Sequence, residues 1–196
     1  KKINNFFFEV VIAKSFEKKA ISILLKNKKI KIIDYSKIKN NSKKEIRSVF
    51  GGYLVQEKNL SKIVTKKLKL VSKVKANKVN IQDIIFALKV CKHLKSNSIV
   101  LAKNKQTIGI GAGQMSRVDS TKIAIIKLNK FNKKLSKFVA ASDAFFPFND
   151  SIGLLCKRGC VSIVQPKGSV NDKNMISFSN KNKMSLYFTT ERFFKH

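Results

Sequence analysis

The sequence predicts an α/β fold in which a mixed sheet carries helices on both faces. After residue 81, runs rich in β-branched residues alternate with amphipathic helical segments, an order typical of parallel or mixed sheets covered by helices. The 196 residues are also 43% hydrophobic, which is enough to bury the core of such a sheet. An incomplete α/β segment precedes this region.

The first 55 residues contain one strand–helix–strand unit. Phe6–Ala13 and Ile30–Ile33 are apolar runs with the length of strands, and Phe16–Leu25 has the apolar spacing of a helix. One such unit is too small to be stable alone, and Lys1 stands almost inside the first strand, so we expect further sequence upstream. Residues 1–55 are therefore assigned to the tail of an upstream α/β subdomain.

Residues 56–80 are predicted to be a basic connector. Between Asn59 and Val79, lysines alternate with Leu, Val and Ile, which fits either a strand pair or a solvated connector, and the lysine content favours the connector. The C-terminal subdomain is then 81–196. It begins with a helix at Ile81–His93, because its apolar residues recur at helical spacing.

A hairpin and a glycine-rich corner follow. Ile99–Lys103 and Thr107–Gly111 read as strands, with a turn at residues 104–106. Three glycines stand where the second strand gives way to a helix: Gly109, Gly111 and Gly113. Glycine permits unusual backbone dihedral angles and lets an anion come close to backbone amide groups. The spacing lacks the third glycine of a dinucleotide fingerprint. The glycines are therefore consistent either with a ligand site or with a tight strand-to-helix corner that binds no ligand.

The helix after this corner is predicted to begin at Ser116. Ser116 and Asp119 have the spacing of an N-cap and its partner, and the helix runs to about Leu128. Arg117 then lies in the first turn, where a cation is unfavourable against the helix dipole unless an anion is near. This misfit is a first hint that a ligand binds near Arg117.

The remaining segments continue the alternation of strands and helices. We predict strands at Phe138–Ala141, Val161–Gln165 and Leu186–Thr190, helices at Ser151–Arg158 and Asn174–Asn180, and a lysine-rich surface loop at Asn129–Lys137. Asp143–Asp150, DAFFPFND, places three phenylalanines around a proline. It is either a buried plug or a rigid aromatic wall for a flat heterocycle.

Four segments are predicted to meet at one edge of the sheet. Ligands of open α/β sheets bind beyond the carboxyl ends of the strands, so we expect the site at this edge. They are Ser96–Ser98, Gly111–Arg117, Asp143–Asp150 and Arg192–Phe194.

The composition is typical of nucleic-acid-binding proteins, with a net charge of +31 and a pI near 10.3. However, the lysines are spread along the whole chain, and few basic residues are arginine, on which nucleic-acid recognition usually depends. A basic nucleic-acid-binding protein stays the alternative interpretation, but nucleic acid is not the expected partner.

Membrane and disulfide proteins are not indicated. No apolar run approaches the about 20 residues that span a bilayer. The three cysteines have no C-x-x-C spacing, which favours reduced thiols and a cytoplasmic location. Cys156 and Cys160 are interpreted as buried small hydrophobes rather than a metal site.

Several motifs together resemble one family. IGIGAGQMSRVDS, with KSNSIV before it and SDAFFPFND and ERFF after it, is similar to the C-terminal part of AICAR formyltransferase, the larger domain of the bifunctional purine-biosynthesis enzymes that are also IMP cyclohydrolases. FEVVIAKSF and EIRSVFGGYLVQE resemble the same family in the same order. The resemblance therefore covers essentially the whole chain.

The resemblance implies a cytidine-deaminase-like fold and formyl transfer from 10-formyltetrahydrofolate to the 5-amino group of AICAR in IMP synthesis. The zinc signature of that fold class, H-x-E with P-C-x-x-C, is absent from the sequence, so we expect no zinc. Members of the family form homodimers with active sites near the interface.

The resemblance also implies site residues. Asn97 resembles the asparagine beside the reacting amine and would support catalysis. The AICAR positions are Asn97, Arg117, Phe145, Arg192 and Phe194, and the folate-side positions are Pro147, Phe148, Asp150 and Ser169. The positions of a structural potassium ion are Val90, Ser96, Ser98, Asp143 and Phe193, although Leu94 stands where some relatives have a threonine hydroxyl.

The family's acid–base pair is not expected in this chain. The aromatic amine of AICAR is a weak nucleophile, so its proton must be removed during transfer. The resemblance assigns this to a lysine–histidine pair in a K-H-x-N-P-C-G segment, which is absent here; Lys92-His93 has only the dipeptide. We therefore expect the segment alone to be inactive, and a degenerate structural remnant stays a further alternative.

Overall fold

The computed structural model describes residues 7–38, 43–61, 63–193 and 195. The chain divides into two compact units, residues 1–60 and 61–196. This boundary lies five residues beyond the predicted end of the upstream subdomain, and residues 61–80 belong to the second unit.

The first unit contains a strand–helix–strand arrangement and a hairpin. Strands β1 (Val10–Ala13) and β2 (Lys31–Asp34) pair in parallel, and helix α1 (Lys18–Leu24) connects them, as predicted. Strands β3 (Lys44–Val49) and β4 (Gly52–Glu57) form an antiparallel hairpin that the sequence analysis missed. Among the described residues of this unit only Leu24 is buried. The unit therefore has very little core of its own.

The second unit is built on a six-stranded mixed sheet in the order β5-β10-β9-β8-β6-β7. Strands β8, β9 and β10 are parallel, whereas β6 is antiparallel to both β7 and β8, and β5 is antiparallel to β10. The mixed sheet is thus confirmed. The strands are β5 (Lys69–Leu70), β6 (Ile99–Lys103), β7 (Gln106–Gly111), β8 (Phe138–Ser142), β9 (Cys160–Pro166) and β10 (Ser185–Thr189).

Part of the predicted connector belongs to this sheet. Strand β5 pairs with β10 through Leu70 and Tyr187, and the amide of Val71 donates to the carbonyl of Leu186 (3.0 Å). Leu68 and Leu70 pack against the core. The apolar residues that alternate with lysine here therefore cover one edge of the sheet.

Helices cover both faces of the sheet, as predicted. Helix α2 (Lys78–Cys91) lies on one face, where Ile84 and Leu88 pack with Val100 and Val139. Helices α3 (Arg117–Asn132), α4 (Asn149–Lys157) and α5 (Asp172–Lys181) contribute to the core on the other face. No helix in the described parts of the chain is long and apolar enough to cross a membrane.

Helix α3 is longer than predicted. The sequence analysis placed Asn129–Lys137 in a loop, but the helix continues to Asn132. Arg158 stabilises this end, because its guanidinium donates to the Asn129 side chain (2.7 Å) and to the carbonyls of Lys133 (2.9 Å) and Leu135 (2.7 Å). The prediction for residues 129–132 was therefore wrong.

Candidate functional site

The described residues of the four predicted segments lie at one edge of the sheet. The carboxyl ends of β7 and β8 lie beside the first residue of β6, because Ile99 pairs with both Gly111 and Ser142. Backbone bonds join the loops beyond this edge: the amide of Asp143 donates to Ser98 (3.3 Å), and the amide of Phe193 donates to Asp143 (2.9 Å).

The glycine corner serves mainly to pack α3 onto β7. A Cβ atom on Gly109 would lie 2.2 Å from the carbonyl oxygen of Ala124, and one on Gly111 would lie 1.9 Å from that of Ser120. Only a residue without a side chain fits at either position. Gly113 has a φ of +67°, so it alone of the three needs the left-handed conformation. Gly109 and Gly111 therefore bring α3 close to the sheet rather than forming an anion cradle.

Arg117 is buried at the start of α3 and is held inside the protein. Ser116 caps the helix as predicted, with its Oγ accepting from the amide of Asp119 (3.1 Å). The guanidinium of Arg117 donates through Nη2 to Asp143 Oδ1 at 3.0 Å. The fully buried carboxylate of Asp143 thus offsets the charge of Arg117 from within the protein, so the position of Arg117 in the helix does not by itself require the ligand that the sequence suggested.

Asn97 belongs to the same network. Its Oδ1 accepts from Arg117 Nη2 (2.8 Å), and its Nδ2 donates to the carbonyls of Gln114 (3.0 Å) and Met115 (3.1 Å). Ser120 Oγ donates to the Asn97 carbonyl at 2.7 Å. Asn97 therefore links the glycine corner to Arg117.

The aromatic loop, defined here as residues 143–148, contains both buried and accessible phenylalanines. Phe146 is fully buried in the core and anchors the loop. Phe145 is half-buried, and Phe148 is 64% exposed. Arg192 lies over the ring of Phe145, with 5.1 Å between Cζ and the ring centroid. One phenylalanine is thus a plug, while the other two present aromatic surface.

The folate-side positions lie around the ends of β8 and β9. Asp150 is exposed in the first turn of α4, and its Oδ1 accepts from the amide of Ser151 (2.6 Å). Ser169 Oγ accepts from the amide of Asn171 at 3.1 Å, in the loop that follows β9. Asn171 Nδ2 in turn donates to the carbonyl of Pro147 (2.6 Å), so this loop contacts the aromatic loop directly.

A cationic cleft of about 750 Å³ adjoins Arg192 at the ends of β9 and β10. Its wall contains the basic residues Lys67, Lys69, Lys167 and Arg192 and the acidic residue Asp172, and Lys67 is ion-paired with Glu191. Gly168 has a φ of +110°, and a Cβ atom there would lie 3.2 Å from Arg192 Nη2. Such a cleft suits an anionic group. The sequence analysis missed the three lysines because nothing distinguishes them from the many others along the chain.

The potassium positions also lie close together. Ser98 Oγ is 3.8 Å from Cys91 Sγ, next to Val90 on α2, and Ser96 Oγ accepts from the amide of Lys195 (3.1 Å). Asp143 Oδ2 is buried and has no hydrogen-bond partner among the described residues. An oxygen in that state fits a role as a cation ligand. Phe194, the remaining AICAR position, lies outside the described residues.

The dipeptide Lys92-His93 lies elsewhere, in a separate cleft of about 400 Å³ with Ser61, Ile63 and Val64. Lys92 Nζ donates to the carbonyl of Ser61 (3.0 Å). Across residues 7–38, 43–61, 63–193 and 195, no cluster of three His, Cys, Asp or Glu side chains could hold a metal ion.

Burial raises the pKa of the Cys91 thiol to about 12, with the charge of Asp143 adding to the effect.

Comparison with known proteins identifies similar sequences along the whole chain. The model of the AICARFT/IMPCHase bienzyme family matches residues 1–127. Proteins described as bifunctional purine biosynthesis protein PurH are 47% identical over 192 residues in Buchnera aphidicola subsp. Baizongia pistaciae and 44% over 195 residues in Chlorobium chlorochromatii. These alignments cover 97% and 99% of this chain but 36% and 37% of the relatives. The chain thus spans little more than a third of their length.

A solved structure shows a weaker likeness. A diaminohydroxyphosphoribosylaminopyrimidine deaminase/5-amino-6-(5-phosphoribosylamino)uracil reductase from Thermotoga maritima is similar over 54% of this chain and 33% of its own. The sequence identity is 16% and the TM-score is 0.35. That similarity is too low to assign a fold family.

Proposed function

The chain belongs to the AICARFT/IMPCHase bienzyme family, and from this we propose that it forms part of an AICAR formyltransferase. The reaction transfers a formyl group from 10-formyltetrahydrofolate to the 5-amino group of AICAR. The relatives are bifunctional purine biosynthesis proteins, so we propose IMP cyclohydrolase activity for the longer protein as well. A cytidine-deaminase-like fold and a homodimer are part of the same proposal.

One observation carries the substrate assignment: two arginines from distant parts of the sequence contact the same residue. Arg117 donates to the carbonyl of Phe145 (2.9 Å), and Arg192 covers its ring. AICAR has a flat imidazole ring and a phosphate group. The half-buried ring of Phe145 would pack against the imidazole, and Arg192 with the cationic cleft suits the phosphate.

The folate cosubstrate would lie on the other side of the aromatic loop. Phe148 offers exposed aromatic surface, and Oδ2 of the Asp150 carboxylate can accept hydrogen bonds from an amino-pyrimidine ring. Pro147 and Ser169 belong to two loops that a hydrogen bond from Asn171 joins. We propose these four residues as the folate-side wall.

The chemistry needs proton removal from a weakly nucleophilic amine and stabilisation of charge at the formyl carbon. Asn97 lies close to Arg117 and would support the reacting groups by hydrogen bonding. Lys92 and His93 line a different cleft, so we assign them no acid–base role. We propose that this chain alone turns over nothing and that the acid–base pair comes from the rest of the protein.

A potassium ion is proposed as a structural element of the site. Carbonyl, hydroxyl and carboxylate oxygens suit this cation, and Val90, Ser96, Ser98, Asp143 and Phe193 could provide them. The buried Asp143 Oδ2 without a described partner supports the assignment. The ion would offset the negative charge of Asp143 together with Arg117.

Calorimetric titration and a formyltransferase assay test this function. We expect the chain to bind AICAR weakly, and to bind the same nucleoside without its phosphate at least tenfold more weakly. A Phe145→Ala variant should lose AICAR binding, whereas Phe131→Ala, an exposed phenylalanine on α3, should not. Equal affinity for AICAR and for its nucleoside would contradict the phosphate assignment. Substantial turnover by the chain alone would contradict the proposal that the acid–base pair is missing from it.

A further inference from the structure

Three consecutive residues of the aromatic loop each have one backbone group bonded by a side chain from a different element. Arg117, at the start of α3, donates to the carbonyl of Phe145 (2.9 Å). The amide of Phe146 donates to Gln165 Oε1 (3.2 Å), and Asn171 Nδ2 donates to the carbonyl of Pro147 (2.6 Å). The backbone between half-buried Phe145 and exposed Phe148 is therefore fixed from three directions.

Gln165 is the central residue of this arrangement. It lies near the end of β9 and is fully buried, where an unbonded side-chain amide would be costly. Its Nε2 is 3.5 Å from Asp172 Oδ1, and Asp172 Oδ2 accepts from the amide of Gly168 (2.8 Å). Gln165 thus connects the aromatic loop to the loop between β9 and α5.

Asn171 makes the second connection between these loops. Its side chain bonds Pro147, and its amide donates to Ser169 Oγ (3.1 Å). A residue at this position therefore controls the distance between two of the proposed folate-side positions.

We propose that Gln165 and Asn171 are positioning residues for the formyltransferase site. This inference rests on the proposed function. Neither side chain needs to touch a substrate; each holds the aromatic loop so that Phe145 and Phe148 face the ligands in a fixed geometry. Sites whose supporting residues are bonded in this way hold reacting groups to within fractions of an ångström. Asn171 serves the folate side, because its bond is to Pro147, whereas Arg117 serves the AICAR side through Phe145.

Amide hydrogen exchange on the 196-residue chain tests whether the loop is held in this way. In Gln165→Met the amide of Phe146 loses its acceptor, so we expect it to exchange at least tenfold faster. Ser162→Ala is the matched control, because Ser162 is fully buried in the same strand and its Oγ has no described hydrogen-bond partner. Unchanged exchange at Phe146 in Gln165→Met would overturn the role of Gln165.

Steady-state kinetics on the longer, active enzyme test the positioning role itself. Asn171→Ala should raise the KM for 10-formyltetrahydrofolate about tenfold and change the KM for AICAR less than twofold. Asn182→Ala, an exposed asparagine at the end of α5, should change neither. Equal changes in both KM values, or none in a folded variant, would overturn the role of Asn171. If the wild-type enzyme transfers no formyl group, the proposed function is wrong, and so is the assignment of Asn171 to the folate side. The hydrogen-exchange result would still decide whether Gln165 holds the aromatic loop.

Discussion

Arg192 lies over the ring of Phe145, with 5.1 Å between its Cζ and the ring centroid. A guanidinium over an aromatic face gains about 0.5–1 kcal/mol at an exposed site. The same guanidinium is in the wall of the cationic cleft. The contact with Phe145 therefore holds the guanidinium of Arg192 between two proposed surfaces. One is the ring of Phe145, proposed for the imidazole of AICAR, and the other is the cationic cleft, proposed for its phosphate.

Arg192→Lys should weaken AICAR binding about tenfold. Lysine keeps the charge but loses the planar group that stacks on Phe145 and the paired donors that suit a phosphate. Calorimetric titration measures the affinity. Lys181→Ala, an exposed lysine on α5, is the control and should leave it unchanged. The same affinity in Arg192→Lys as in the wild type would count against a phosphate at this position.

Arg117→Met should destabilise the protein by about 3–5 kcal/mol, because it leaves the carboxylate of Asp143 buried without its cation. The double variant Arg117→Met/Asp143→Asn should recover part of this loss, since no charge is then left unpaired. Urea denaturation of both single variants and the double variant gives the coupling energy. Additive effects would show that Arg117 and Asp143 do not stabilise each other.

Local features of the fold could be predicted from the sequence. The cap at Ser116, the turn after Lys103 and the left-handed Gly159 at the end of α4 follow from residues close together in the chain. The meeting of four segments at one edge could also be predicted, because it requires only that β7, β8 and β10 run in one direction and β6 in the opposite one.

Features that depend on how separate elements pack on one another could not be predicted. The length of α3 depends on Arg158, which lies beyond the next strand and helix. The role of Gly111 is set by the path of α3 above β7, and that of Gln165 by a loop preceding its own strand. In each case the decisive contact is set by how one element packs on another, so the spacing of residues along the chain carries no signal of it.

Gly111→Ala should destabilise the protein, whereas Gly153→Ala should not. The new Cβ at Gly111 would lie 1.9 Å from the Ser120 carbonyl, so α3 must shift, at a typical cost of about 1–3 kcal/mol. At Gly153, inside α4, the nearest atom is 3.9 Å away, and alanine should stabilise the helix by up to about 1 kcal/mol. Thermal unfolding of the two variants compares them. A stable Gly111→Ala protein would contradict the close packing of α3 on β7.

Glu191 should give the protein a stability contribution that is lost in acid. Burial alone would raise the pKa of this carboxyl, but hydrogen bonds from Lys67 and Ser61 outweigh it and lower the pKa below its ordinary value of 4.5. A carboxyl whose pKa is lower in the folded state stabilises that state at pH values above its pKa in the unfolded chain. This contribution disappears as the pH falls through its pKa in the folded state. Glu191→Gln should therefore be less stable than the wild type at pH 7, by under about 1 kcal/mol, and equally stable in strong acid. Lys67→Met should show the same pH dependence of stability. If either variant differed in stability from the wild type by a constant amount at every pH, the ionisation of Glu191 would not be the cause.

Potassium should stabilise the wild-type chain more than sodium at equal ionic strength. A ligand that binds only the folded state at 100 times its dissociation constant adds about 2.7 kcal/mol, and for a protein of this size each kcal/mol raises the Tm by about 2–4 °C. Asp143→Asn removes the buried carboxylate whose Oδ2 has no described partner, so the difference in Tm between the two salts should vanish in this variant. Because Asp143 also pairs with Arg117, its absolute Tm falls for a second reason, and only the difference between salts within each variant reports the ion. Ser162→Ala, equally buried, should keep the full difference. Identical Tm values of the wild type in both salts would rule out a selective potassium site and leave Arg117 as the cation that offsets Asp143.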